Sequence, residues 1–236
     1  MSALEGMNPQ RVLYYFEEIS KIPRGSGNCK GISDYLKNFG IEHGLDTIQD
    51  EALNIILKKP ATPGYEDQPV MILQGHMDMV AVATPESGIN MKTTPLKLIV
   101  DGDWLSAENT SLGGDDGIAV AYSLALLESD SIPHPALEVI ITTEEEVGMD
   151  GARAIDLSSL KGKRLLNLDS EDEGIFLTGC AGGARVTCLL PLTSVSDSLP
   201  DAALKIRIDG LLGGHSGGEI HRGRANSNIL AGELLT

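Results

Sequence analysis

The chain has 236 residues, 42% of them hydrophobic, enough for one packed domain or for one domain and part of a second. Its formal charge of −16 leaves no basic patch to offset phosphate, which argues against nucleic acid or an anionic membrane as a partner. Aromatic residues make up only 4%, so aliphatic side chains must fill the core, and no apolar run approaches the ~18 residues of a membrane span.

Asn8-Pro9 supplies an N-cap and a first-turn proline for a helix running to about Ile22, where Pro23 ends it. A glycine-rich turn over 24–31 leads to a second amphipathic helix over 32–43. The spacing Gly25-x-Gly27-x-x-x-Gly31 is not a dinucleotide fingerprint and follows a helix rather than a strand. Apolar runs at 53–57 and 70–73 read as strands, and a hairpin is expected around 96–105. A third helix spans 116–129, with Ile118, Ala119, Tyr122, Leu126 and Leu127 at helical spacing. Strands follow at 137–142 and 164–168, with a brief helix over 151–157 between them. Strands alternating with helices predict an α/β fold: a mixed, largely parallel sheet flanked by helices.

The pattern changes near Gly179. Segments 185–190 and 203–208 alternate apolar and polar residues as half-exposed strands do, and 225–235 reads as a helix. We therefore expect a catalytic metal-binding domain over 1–183 and the start of an α+β lid or dimerisation domain over 184–236. The helix at the end has no closing element after it, so the chain reads as the N-terminal part of a longer protein. Cys29, Cys180 and Cys188 form no CxxC pair, and no basic segment leads into an apolar one at the N-terminus. Both features fit reduced thiols in a cytoplasmic protein.

Chemistry-bearing residues recur at element ends. The 70–73 strand delivers His76-x-Asp78, and Gly113-Gly-Asp115-Asp116-Gly117 precedes the third helix. Asp116 there reads as an ordinary N-cap, which leaves Asp115 freer to face a cation. Glu144-Glu145-Glu146 follows the 137–142 strand, and the 164–168 strand runs into Asp169. In an open α/β sheet the carboxyl ends of strands are where ligands bind. A histidine and several carboxylates on one rim suit a pair of divalent cations, with one carboxylate bridging them and one position left for water. The tandem glutamates fit a division into metal ligand and general base. Zinc is the first expectation, and the oxygen-rich set also allows manganese or cobalt. Gly214-His-Ser-Gly-Gly218 matches a serine nucleophile elbow, but only Glu219 and His221 follow it, too close together for the usual partners. No HExxH pair is present, and His43 and His134 read as structural or exposed.

GHMD, LGGDDG, TEEEVGMDGA, NLDSEDEG, CAGG and GGHSGGEIH occur in this order. Together they resemble the signature segments of the di-zinc exopeptidase family that contains carboxypeptidase G, aminoacylase and carnosinase, and within it the Xaa-His dipeptidases. The resemblance implies that His76 and Asp169 bind one metal, that Asp115 bridges the two, and that Glu146 binds the other. It makes Glu145 the general base and Asp78 the group that orients His76. It makes His215 a second-domain residue that stabilises the oxyanion. Glu144 is then an extra acid, and a slip of one residue would reassign both glutamate roles. The family's second metal takes a histidine from a late segment, and His221 is not assigned to that part. The expected reaction is hydrolysis of a dipeptide, Xaa-His by resemblance, in a cytoplasmic enzyme that could form a homodimer. The alternatives are a truncated, inactive metal-binding relative or interaction module, or another exopeptidase or deacylase of the family.

Overall fold

A computed structural model describes residues 3–170, 173–180, 182, 186–191, 205–214 and 219–236. The chain divides into two units, Met1–Phe176 and Leu177–Thr236.

The first unit begins with α1 (Gln10–Ser20) and α2 (Lys30–Glu42), followed by β1 (Asp46–Gln49), β2 (Ile55–Lys59) and β3 (Met71–His76). A small hairpin, β4 (Leu98–Asp101) with β5 (Trp104–Ala107), precedes α3 (Gly114–Glu128). Then come β6 (Leu137–Thr142), two short helices α4 (Glu145–Gly148) and α5 (Asp150–Ala154), and β7 (Arg164–Asn167). The main sheet has five strands in the order β1-β2-β6-β3-β7. The pairs β3–β6 and β3–β7 are parallel, while β1–β2 and β2–β6 are antiparallel. The sheet is therefore mixed, with its parallel half on the side that carries the chemistry.

Burial explains this arrangement. β6 is buried along its whole length, as a central strand covered on both faces is, and is apolar from Leu137 to Ile141 apart from Glu138. Helices α1 and α2 each bury one stripe: Val12, Tyr15, Phe16 and Ile19 from the first, and Ile32, Leu36 and Phe39 from the second. These meet Ile55, Leu57, Val139, Ile141, Ala121 and Leu124 in one core. Full burial of each Leu, Ile or Phe side chain contributes ~1.5–3 kcal/mol. Tyr15 and Phe39 add an edge-to-face contact, with centroids 5.5 Å apart.

The register sets the site. β3 and β6 run in parallel with His76 level with Thr142, and Gln74 of β3 is level with Asn167 of β7. Three neighbouring strands thus end at one rim, and the residues just beyond them emerge side by side. β1 was not expected from the sequence. Its four residues alternate exposed and half-buried on an edge, too short and too polar to leave an apolar signature.

In the second unit, a 3₁₀ turn (Ile220–Arg222) and α6 (Ser227–Leu235) are formed, and the Asn226 side chain accepts the Asn228 amide at 2.8 Å to cap the helix. The strands expected at 185–190 and 203–208 are not seen in their described parts, 186–190 and 205–208. Val186, Leu189 and Leu190 are 79–90% exposed there. An alternating segment forms a strand only when a partner covers its apolar face, and the described residues supply none. No helix among the described residues is long and apolar enough to cross a membrane.

Candidate metal centre

The end of β3 presents His76 with 1% of its side chain exposed. Its two ring nitrogens face different carboxylates. Nε2 lies 3.0 Å from Asp115 Oδ1 and 3.8 Å from Glu145 Oε2. Nδ1 lies 3.0 Å from the Asp78 carbonyl and 3.5 Å from Asp78 Oδ1. Burial alone would lower the imidazole pKa, but Asp78, Asp116 and Asp169 outweigh it and push it up to about 9.

Asp78 is fully buried and ties three segments together. Its carboxylate accepts the Ser26 hydroxyl at 2.8 Å, the Glu145 amide at 3.1 Å and the Glu146 amide at 3.4 Å. Burial raises its pKa, yet His76, Ser26 and the Glu145 amide together hold it below the usual carboxylate range.

Asp115 and Asp116, joined by a cis peptide, have different surroundings. The Asp115 side chain is 61% exposed and turned to His76 Nε2. Asp116 does not act as the N-cap expected of it. The cap position is Gly113, no side chain caps the helix, and Asp116 has non-helical backbone angles. Asp116 is 2% exposed, and its Oδ2 accepts the His76 amide at 3.1 Å. The close pairing needs Gly75, because a Cβ there would come within 2.6 Å of that oxygen. Burial pushes Asp116 up to about 7. No local signal marks this role, since an acid ahead of a helix reads as a cap unless the neighbouring strand is in view.

The glutamate run leaves β6 through Thr143, whose amide donates to the buried Asn54 side chain at 3.1 Å. Asn54 also donates to the Gly151 carbonyl and to Asp50, so it holds the turn that carries the glutamates. Glu144 turns away from the centre, accepting the Gly27 amide at 2.9 and 3.0 Å and the Cys29 thiol at 3.3 Å. Burial raises the carboxyls of Glu145 and Glu146. Asp169, Asp78 and Asp115 add to the shift at Glu145, and Asp115, Glu145 and Asp78 at Glu146, while His76 opposes both.

Two groups of side chains could each hold a cation: His76 with Asp115 and Glu146, and His76 with Asp116 and Asp169. Within each group the donor atoms lie within 4.8 Å of one another. Ligand atoms at ~2.0–2.2 Å from a zinc-like ion lie ~3.4 Å apart in a tetrahedron, so a divalent cation fits with small side-chain adjustments. Of the residues expected to meet, His76, Asp78, Asp115, Glu145, Glu146 and Asp169 are gathered at this rim. His215 lies outside the described residues. His221 falls in the 3₁₀ turn of the second unit. His43 is exposed and stacks on Phe39, while His134 is buried with Nδ1 2.7 Å from the Pro135 carbonyl, so one is exposed and the other structural.

No family model matches the chain. It is 38% identical over its whole length to the cytosol non-specific dipeptidase of Escherichia coli, of which it covers 48%. Its fold matches aminoacylhistidine dipeptidase from Vibrio alginolyticus with a TM-score of 0.76 and 35% identity, over 98% of this chain and 47% of that one. A tripeptidase from Staphylococcus aureus matches 70% of the chain and 44% of its own length, with a TM-score of 0.59 and 29% identity. The chain thus spans about half the length of the relatives it matches. Sequence along its full length and the arrangement of its sheet agree: over about half of their length, this chain is similar to the cytosol non-specific and aminoacylhistidine dipeptidases.

Proposed function

We propose that the protein carrying this chain is a metal-dependent dipeptidase, acting on Xaa-His dipeptides in the cytoplasm. The observation that carries the reading is the grouping of His76, Asp115 and Glu146 donor atoms within 4.8 Å, with Glu145 Oε2 3.8 Å from the same imidazole nitrogen. In this reading His76, Asp169, Asp115 and Glu146 would hold the ions, with Asp115 shared between the two sites, and zinc would be the preferred metal. When bound, such ions would supply positive charge to polarise the scissile carbonyl and lower the pKa of an adjacent water. Glu145 does the proton work. It takes a proton from the water as the oxygen–carbon bond forms, and returns it to the amine as the carbon–nitrogen bond breaks. Its raised pKa suits a base that must hold the proton between the two steps. Asp78 fixes the His76 ring, and His215 stabilises the oxyanion in line with the family resemblance. A homodimer belongs to the same proposal, as does a second ligand set completed by a residue outside this chain.

The test compares Glu145→Ala with Glu146→Ala, measuring Xaa-His hydrolysis with added zinc or manganese beside metal content. Glu145→Ala should abolish turnover with metal content nearly intact, and Glu146→Ala should lose both. If the two patterns came out exchanged, base and ligand would be exchanged. Metal binding without turnover in the unaltered protein would favour the inactive-relative alternative.

A further inference from the structure

Arg24 lies in the turn between α1 and α2, in a stretch with no obvious sequence role, yet it is 2% exposed and among the largest fully buried side chains. Its guanidinium reaches two of the segments that build the centre. Nη1 donates to the Met77 carbonyl at 3.0 Å and the Asp78 carbonyl at 3.4 Å, and Nη2 donates to the Gly113 carbonyl. Met77 and Asp78 follow His76, and Gly113 comes two residues before Asp115. The glycines on either side of the Asp115-Asp116 pair make room for it. A Cβ at Gly117 would collide with Nη2, and one at Gly113 would lie 2.7 Å from it. The LGGDDG motif is thus, in part, a seat for an arginine.

The rest of the turn reaches the same frame. Ser26 Oγ donates to Asp78, the Gly27 amide donates to Glu144, and the Ser26 amide and Arg24 carbonyl pair with Met79. Burial pushes the guanidinium pKa down to about 10, while Asp78 and Asp116 hold it up, so it stays cationic at neutral pH beside the acids. Its Nε finds no partner among the described residues. A buried, incompletely satisfied cation is a poor device for stability alone. A planar fork that spans fixed carbonyls is a good device for geometry.

We propose that Arg24 is a positioning residue of the metal centre, fixing the separation of the His76–Asp78 and Asp115 segments by bonding both backbones at once, with Ser26 as its auxiliary on Asp78. The inference rests on the metal-centre reading above. Lysine keeps the charge but cannot span the three carbonyls, so Arg24→Lys separates geometry from charge. The dissociation constants of zinc and manganese alone are measured by chelator competition, below the melting temperature, on unaltered protein, Arg24→Lys and Ser26→Ala. Circular dichroism establishes that each is folded.

Arg24→Lys should bind metal at least about tenfold more weakly while folded, and Ser26→Ala several-fold more weakly, as for residues that orient ligands. A folded Arg24→Lys that binds within twofold of the unaltered protein would overturn the proposal. If Arg24→Lys does not fold, an unchanged constant in Ser26→Ala would overturn it instead. Unaltered protein that binds neither metal would sink the metal-centre reading itself, and His76→Ala, expected to lose binding, marks that failure apart.

Discussion

Asp78 accepts the Glu145 amide at 3.1 Å on Oδ1, the same oxygen that stands 3.5 Å from the His76 ring. One carboxylate therefore sets both the orientation of the imidazole and the position of the turn carrying the glutamates. Asp78→Asn keeps the shape but brings an amide donor to a site that faces donors from Ser26, Glu145 and Glu146. We expect a loss of about 10–100-fold in metal affinity or turnover, typical of partners that hold a metal-ligating histidine. Chelator competition and steady-state kinetics check it, and an unchanged metal affinity with unchanged turnover would remove Asp78 from the site.

Glu144 offers a second test, because its neighbours separate it from the two glutamates beside it. Its carboxylate is committed to the Gly27 amide and the Cys29 thiol. Glu144→Gln should therefore retain metal content and the pH profile of turnover, with a lower melting temperature as the turn loosens. Loss of turnover with metal content intact in this variant, with Glu145→Ala still active, would shift the catalytic glutamate by one residue.

The strand ends and their acids were legible in the sequence because each followed a short apolar run, and the long helices because their apolar stripes recur at helical spacing. Asp116, Ser26, Asn54 and Arg24 were not legible for a common reason. Each acts through a partner far along the chain: 40 residues from Asp116 to His76, 52 from Ser26 to Asp78, 89 from Asn54 to Thr143, and 89 from Arg24 to Gly113. Local periodicity carries no record of such pairs. The second unit shows the opposite error, in which alternation was visible but the described residues supply no partner to turn it into strands.

Glu138 is the second residue of the central strand β6 and is 4% exposed. Its carboxylate is satisfied by the backbone amides of Lys161 at 2.9 and 3.0 Å and Gly162 at 2.9 Å, which anchors the approach to β7 and so to Asp169. Glu138→Ala would leave those amides without their acceptor and open a cavity in the sheet. A destabilisation of ~1–3 kcal/mol is expected from denaturant titration. A midpoint within error of the unaltered protein would mean that the loop does not depend on this anchor.

Cys29 provides a test that depends on pH and not on metal. It is 3% exposed, while Cys180 and Cys188 are exposed. Burial pushes the Cys29 thiol up to about 12, and the adjacent Glu144 carboxylate adds to the shift. The folded state therefore favours the protonated thiol. Its contribution to stability is fully present below the ordinary thiol value of 9.0 and is lost as pH rises through about 12. At pH 8 a disulfide reagent should label Cys180 and Cys188 rapidly and Cys29 only slowly, because the thiolate is the reacting species. All three should react together in denaturant. Single Cys→Ser variants assign the slow phase, and a Cys29 that reacts as fast as the exposed pair in native protein at pH 8 would show that the turn holding it is open.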